Sequence, residues 1–387
     1  MRGVAVLALA LVPVAGAHAQ RDTIALPDIP GFVTLKGDFH LHTVFSDGRV
    51  WPSFRSYEAN RDGLDFIAIT NHIDFQGSPN DLPADYNKPH EIATTAAART
   101  KLIVIKGAEI SPRTPPYHAN ALFLTDANLP TPYMEDTRGR FRMKAGRTKA
   151  DLMAPFVEAK RQGAFVTYNH PAYFYDWNEQ MGPDLLTPIH REMLKEGMLH
   201  GIEIVNGDHY YGRAHRIALD NDLVLIAGSD THDESAATYR DHHRPMTLVF
   251  SRDSTEAGIR DALFAKRTAV WFRDFVIGRQ RELEPFFKAA LEVTTEQSRR
   301  YNEPILLVHV RNRSAIPFTV RVGGRYGVDN LPLGRIVLAP DTTTTISLRT
   351  LWEYPSVAAL ELDVENLMTA PDATLKTSIE VRPTWKK

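Results

Sequence analysis

The sequence predicts an α/β barrel followed by a small all-β sandwich. Between about Leu35 and Phe272, short runs rich in β-branched residues alternate with amphipathic stretches of helical length, the pattern of a parallel sheet wound through helices. From about Leu291 the helical stretches stop, and strand-like runs are split by Gly, Pro, Asn and Asp turns, as in a sandwich. The length of 387 residues suits about two to three domains. The composition, 43% hydrophobic and 24% charged, is that of a globular chain.

Taken in order, Arg2, the 14-residue apolar run Val4 to Ala17 and Ala17-His18-Ala19 have the form of a signal peptide cut after Ala19. A periplasmic or secreted protein is therefore expected. The run is short for a bilayer span, and no later stretch reaches 18 apolar residues, so no membrane association is expected after cleavage. The barrel is expected over 20–285. Its strands include Asp65–Thr70, Leu102–Ile105, Ala164–Thr167, Gly201–Val205 and Leu223–Ala227, and its helices include Lys149–Arg161 and Arg213–Asp220. The sandwich is expected over 293–387, with strands at Pro304–Val310, Pro317–Val322, Thr344–Leu348 and Ser378–Val381. The boundary falls between Glu282 and Glu296. Arg138, Arg140, Arg142, Lys144 and Arg147, around Phe141, read as a solvated basic loop.

Composition excludes several chemistries. There is no cysteine, hence no disulfide, thiolate nucleophile or iron–sulfur cluster. The formal charge of −2 argues against bulk electrostatic binding of nucleic acid. The 15 histidines are the informative residues. His40 and His42 close the first strand at i, i+2, where side chains point the same way, and Asp47 follows. His72 follows the second strand, and Glu109 ends the third. His118 opens the next apolar run, and His170 follows Asn169. Asp230 and His232 follow Gly228, again at i, i+2. Strand ends of an α/β barrel converge on one rim, so these nine residues form one cluster. One ion needs about three or four protein donors; nine imply two or three divalent ions, with Glu109 as a natural bridge. Mixed imidazole and carboxylate donors suit Mn, Zn or Fe. A lone histidine is ordinarily a hydrogen-bonded packing residue, the reading given to His90, His190, His200, His242, His243 and His309.

Phe39-His40-Leu41-His42-Thr43 with Ser46-Asp47-Gly48 resembles the first motif of the PHP (polymerase and histidinol phosphatase) superfamily. Ile69-Thr70-Asn71-His72, Gly107-Ala108-Glu109, His118, Asn169-His170-Pro171 and Gly228-Ser229-Asp230-Thr231-His232 are similar to its later motifs, in order. The resemblance covers about Leu35 to Phe272. It implies a distorted (βα)7 barrel with a trinuclear metal cluster on its C-terminal rim. It also implies one site from His40, His42, Glu109 and Asp230, a second from Glu109, His118 and His170, and a third from Asp47, His72 and His232. Asn71 departs from the family, which often has Asp there. The export signal and β-domain look most like secreted bacterial PHP phosphodiesterases that hydrolyse small organophosphate diesters.

The chemistry implied is attack of a hydroxide held between two cations on phosphorus, with a third cation offsetting charge on the phosphoryl oxygens. No protein nucleophile is required. In the loop Asn206–Arg216, His209 and His215 are candidates to protonate a leaving group, and Arg213 and Arg216 to bind phosphate; a solvated helix start is the competing reading. Tyr173, Tyr175 and Trp177 either line a pocket for an apolar ester arm or pack the rim, and Arg113 is equally open. A phosphomonoesterase of the histidinol-phosphatase type, a secreted nuclease and a non-catalytic secreted binding protein are the alternatives. The expected partner is a small phosphate diester rather than nucleic acid.

Overall fold

The computed structural model describes residues 23–135, 143–171 and 185–385. The first part of the chain runs β1 (Val33–Asp38), α1 (Pro52–Arg61), β2 (Phe66–Ile69), α2 (Lys88–Ala97), β3 (Ile103–Ile110), β4 (Ala119–Leu122), α3 (Lys149–Arg161) and β5 (Phe165–Tyr168). It continues with α4 (Pro188–Lys195), β6 (Gly201–Asn206), β7 (His209–Tyr210), α5 (Gly212–Asp220), β8 (Val224–Gly228), α6 (Ser235–Thr238), β9 (Met246–Ser251), α7 (Glu256–Phe264), β10 (Thr268–Phe272), β11 (Phe275–Gly278) and α8 (Gln280–Ala290). The five strands and two helices expected from hydrophobic patterning are present. In α3 the Thr148 hydroxyl accepts from Asp151 N–H while the Asp151 carboxylate accepts from Thr148 N–H, a reciprocal cap for a helix start. β2 is buried along its whole length, which explains why Phe-Ile-Ala-Ile is a continuous apolar run rather than an alternating one.

The ladders give β1–β2–β3 parallel, β3–β4–β5 antiparallel, and β5–β6–β8 parallel. Two reversals cancel, so β1, β2, β3, β5, β6 and β8 all run the same way. Their C-terminal ends share one rim, and β4, running backwards, begins at that rim. This part is a mixed sheet, not seven uniform parallel units: β9 pairs antiparallel with β1, and β10 and β11 continue that antiparallel edge. Among the described residues no backbone ladder joins β8 to β9. Side chains close the gap instead: Thr247 Oγ1 of β9 bonds the N–H and C=O of Ala227, and Thr268 Oγ1 of β10 donates to Leu225 C=O.

The second domain contains β12 (Leu291–Arg300), β13 (Glu303–Asn312), β14 (Phe318–Gly323), β15 (Gly327–Val328), β16 (Arg335–Leu338), β17 (Thr342–Arg349), β18 (Ala358–Ala370) and β19 (Ala373–Val381). One sheet runs β12-β13-β17-β15; in the other, β14 and β19 flank β18, and β16 pairs with β14. Val308, Val310, Ile346 and Leu348 belong to the same core as Phe318, Val320, Leu360 and Leu362. The domains meet without an intervening loop at α8. α8 fills the expected linker and leads directly into β12. β18 also pairs parallel with β11, so one sheet crosses from the first domain into the second. Phe286 and Phe287 of α8 are fully buried in this shared core, and Phe287 meets Phe318 edge-on at 5.1 Å. Among the described residues no helix is long and apolar enough to cross a membrane.

Candidate metal centre

The rim assembles all nine histidine and carboxylate residues named from the sequence. His40 and His42 lie just past β1, where Leu41 forms an isolated parallel bridge with Thr231. That keeps the segment extended, so both rings point to one side, with Nε2 atoms 3.1 Å apart. Glu109 Oε2 lies 3.4 Å from His40 Nε2 and 3.3 Å from His42 Nε2. Asp230 Oδ1 lies 3.3 and 3.0 Å from the same two nitrogens. Donors about 2.0–2.1 Å from a tetrahedral ion stand about 3.3–3.4 Å from one another, so this first set has the spacing a cation requires.

Glu109 Oε1 faces His118 Nδ1 at 3.1 Å and His170 Nε2 at 3.5 Å. Asp47 faces His232 Nε2 at 3.2 Å and His72 Nε2 at 3.5 Å. The sets share donors more widely than the resemblance implied. His42 Nδ1 is 3.7 Å from Asp47, and His72 Nδ1 is 2.9 Å from Glu109 Oε2. Among the described residues, buried Glu109 Oε2 and Asp47 Oδ1 have no well-aligned donor and face only imidazole nitrogens. A buried carboxylate oxygen without a donor is costly, and a cation supplies what it lacks. The donor chemistry and spacing therefore fit divalent metal ions.

The electrostatics agree. Burial opposes charge on Glu109, but His72, His40 and His118 outweigh it and hold the carboxyl well below its usual range. Asp47 and Asp230 are held low in the same way, against their burial, by His232 and His72 and by His40 and His42 respectively. Burial also works against protonating His40, yet Asp230, Glu203 and Glu109 raise its pKa well above the ordinary value. His42 behaves oppositely: burial and the adjacent His232 and His72 lower it to about 3. Carboxylates that pull protons onto imidazoles pull cations there too.

Local structure holds this geometry. Gly48 is required because a Cβ there would lie 2.6 Å from Thr43 N, so the Ser46-Asp47-Gly48 turn closes tightly enough to bring Asp47 over His42. Two of the nine residues have left-handed backbones, His170 at φ 26 and Asp230 at φ 52, conformations that persist only when surrounding bonds impose them. Asp230 N–H donates to His40 C=O, and His170 N–H to Glu203. Asn71 Oδ1 accepts from Thr43 N–H, Thr43 Oγ1 and Ser46 Oγ. It therefore orders the first motif as an acceptor, without the charge an aspartate would bring.

Several supporting residues were missed by sequence reasoning. Glu203, fully buried on β6, accepts from His40 Nδ1 at 2.8 Å and from Asn206 Nδ2 at 2.9 Å. Asn169 Nδ2 donates to Glu109 Oε1. His72 Nδ1 is 2.7 Å from Ser111 Oγ, which donates to the buried Asp74. Behind the rim, buried Arg55 donates to the His42, Thr231 and Asp233 carbonyls and pairs with Glu58. Arg244 faces Asp38, Glu58 and Asp62. The one legible signal was a charged residue inside an apolar strand, Gly201-Ile-Glu-Ile-Val205.

The substrate-loop candidates separate. His209 is exposed and pairs with Asn206 across the β6–β7 hairpin; Asn206 Nδ2 also reaches Asp230 Oδ2 at 3.4 Å, which puts His209 at the rim. Arg213 is exposed in the first turn of α5. His215 points elsewhere: it is fully buried, its Nδ1 meets Tyr210 Oη at 2.9 Å, and burial with Arg216 and Arg279 lowers it to about 4. That neutral packing residue is not placed to donate a proton to substrate. Arg216 pairs with Asp372 of the second domain, and is a domain tie rather than a phosphate contact. Arg113 is exposed beyond β3. Tyr173, Tyr175, Trp177 and most of the basic loop lie outside the described residues. His90, His190, His200, His242, His243 and His309 stay out of the cluster, each in a hydrogen bond elsewhere.

A family described as an Ig-like domain matches residues 291–380. No curated protein matches the chain. Among solved structures, a two-domain protein from Bacteroides vulgatus containing a predicted PHP-like metal-dependent phosphoesterase is 34% identical. The match covers 94% of this chain and 99% of that one, with a TM-score of 0.79. A protein from Bifidobacterium adolescentis named as a metal-dependent phosphoesterase is 18% identical over 51% of this chain and 87% of its own, with a TM-score of 0.37. An amidohydrolase from Chromobacterium violaceum is 17% identical over 52% and 89%, with a TM-score of 0.38. With identity and coverage at the level of the Bacteroides protein, and with the PHP motifs gathered on one rim, the chain belongs to the two-domain PHP-like metal-dependent phosphoesterase family.

Proposed function

We propose that this protein is a metal-dependent phosphodiesterase acting on small organophosphate diesters. The observation that carries the reading is the first donor set: His40 Nε2, His42 Nε2, Glu109 Oε2 and Asp230 Oδ1, spaced 3.0–3.4 Å. With Asp47, His72, His118, His170 and His232, these residues would hold two or three divalent ions (Mn, Zn or Fe). When bound, they supply positive charge opposite the phosphoryl oxygens and acidify water toward neutral pH. The chain's own residues do the rest. Glu109 offers one oxygen to each of two donor sets. Exposed His209, beside the Asn206–Asp230 contact, is the candidate proton donor to the leaving group, and Arg213 the candidate phosphate contact. We read the first domain as a distorted (βα)7 barrel, a reading supported by the side-chain join of β8 to β9. We also propose export to the periplasm or beyond, with residues 1–19 as the cleaved signal.

A cationic cluster favours an anion over a neutral triester, and the second ester group distinguishes a diester from a monoester. The test compares kcat/KM on bis(p-nitrophenyl) phosphate and p-nitrophenyl phosphate at matched metal loading. The expected result is preference for the diester. Preference for the monoester overturns the assignment in favour of a phosphomonoesterase; no hydrolysis of either favours a binding protein.

A further inference from the structure

We propose that Glu203 is a positioning residue that fixes His40 with Nε2 toward the metal centre and ties two further elements of the centre to the same carboxylate. The proposal rests on the metal-centre reading above and extends it to a residue that is not among the nine. His40 Nδ1 lies 2.8 Å from Glu203 Oε1, on the ring side opposite the nitrogen that faces His42, Glu109 and Asp230. Because the carboxylate only accepts, Nδ1 carries its hydrogen and Nε2 is the nitrogen whose lone pair a cation can take. A ligating imidazole held this way has its tautomer and its orientation set by the bond on the other nitrogen. Glu203 Oε2 is also occupied: it accepts from His170 N–H at 2.8 Å and Asn206 Nδ2 at 2.9 Å. The first bond pins the left-handed backbone of His170, and the second holds the amide that reaches Asp230 Oδ2.

A second, independent feature shows that the fold makes room for this carboxylate. A Cβ on Gly228 would stand 2.3 Å from Glu203 Oε1 and 2.6 Å from the His40 Cβ. Gly228 is thus the residue against which the Glu203–His40 pair closes, two positions before Asp230.

The isosteric change Glu203→Gln separates charge and hydrogen placement from shape. An amide has one acceptor and one donor end. Its oxygen goes to the side where two donors wait, His170 N–H and Asn206 Nδ2. Its NH2 then faces His40 Nδ1, which must become an acceptor, and the ring proton moves to Nε2, where the cation binds. The reversed amide instead sets its NH2 against two donors. Either orientation disrupts the centre without changing its volume.

The experiment measures metal content and chelator-competition affinity for zinc and manganese in the parent and in E203Q, with circular dichroism to verify folding. In parallel, the cadmium-113-loaded parent with nitrogen-15 histidine is studied by NMR, His40 being assigned by its loss in His40→Gln. The expected result is a roughly ten- to hundred-fold weaker ion in E203Q; in the parent, a proton on His40 Nδ1 and cadmium coupling at Nε2. Equal affinity in a folded E203Q overturns the proposal and leaves the metal reading standing. So does coupling at Nδ1 or an unprotonated Nδ1, which decides the matter even where E203Q fails to fold. A parent that binds no cation overturns the metal-centre reading, and this proposal with it.

Discussion

His40 and His42 are two residues apart in sequence, and their Nε2 atoms are 3.1 Å apart in space. Two neutral imidazole nitrogens pointing lone pairs at each other repel; the arrangement is favourable when a third group, a proton or a cation, lies between them. Glu109 and Asp230 complete that set. Loss of one donor from a four-donor set removes several kcal/mol of cation binding. His40→Ala and Asp230→Ala are therefore expected to lower diester kcat/KM by about a thousand-fold, with a matching fall in bound metal by elemental analysis. Unchanged metal content and activity in either variant would remove that set from the account.

Proton competition gives a second expectation. The acidic neighbours raise His40, His72, His170 and His232 above the ordinary histidine value, in each case against burial. A group with a raised pKa holds its proton to higher pH, and a cation must displace it. Loading the metal-free protein near pH 7 should release protons, and affinity should rise with pH from 6 to 8. Calorimetry in buffers of different ionisation enthalpy measures the release; no proton release at pH 7 contradicts these shifts.

His200 and His215 act on stability instead. Burial, chiefly, lowers each to about 4, whereas unfolding returns them to about 6.5. Between those values the unfolded chain binds more protons. Their contribution is thus complete above about pH 6.5 and is lost as pH falls to about 4, about 3 kcal/mol for each residue. His200 Nδ1 accepts from Val166 N–H, and His215 Nδ1 faces Tyr210 Oη. Asparagine at both positions offers an acceptor that does not titrate. In metal-free protein, thermal unfolding of the double variant should fall less steeply from pH 6.5 to 4 than the parent's; an identical slope contradicts the assignment.

The second domain should be needed for folding rather than for chemistry. Its removal after Ala290 would expose Leu283, Phe286 and Phe287, all fully buried, and would strip β18 from β11. Burial of each large side chain is worth about 2–3 kcal/mol, so residues 20–290 alone should aggregate or melt well below the full chain. A soluble fragment with the parent's melting temperature would show that the shared core is dispensable.

The parts legible in the sequence are those written in local pattern. The donor residues were visible because strand ends share a rim, which turns scattered positions into one cluster. β12 was not visible: Leu-Glu-Val-Thr-Thr-Glu-Gln-Ser-Arg-Arg lies at a sheet edge with few apolar residues, so its alternation is faint. β18 was not named either, although it carries a period-two signal, with Glu361, Asp363 and Glu365 outward between buried Leu360, Leu362 and Val364. The antiparallel turn of β4 was not visible, because it depends on pairing between distant segments. His215 misled for a related reason. On sequence it sits in a rim loop, whereas its place on the inner face of α5 is set by packing against Tyr210.

The most direct measurement is anomalous diffraction at the metal edge, from crystals of the protein loaded with zinc or manganese. Two or three anomalous peaks are expected within bonding distance of the nine donors, one of them among His40, His42, Glu109 and Asp230 and one sharing Glu109. Metal-replete crystals with no peak among these side chains would contradict the account.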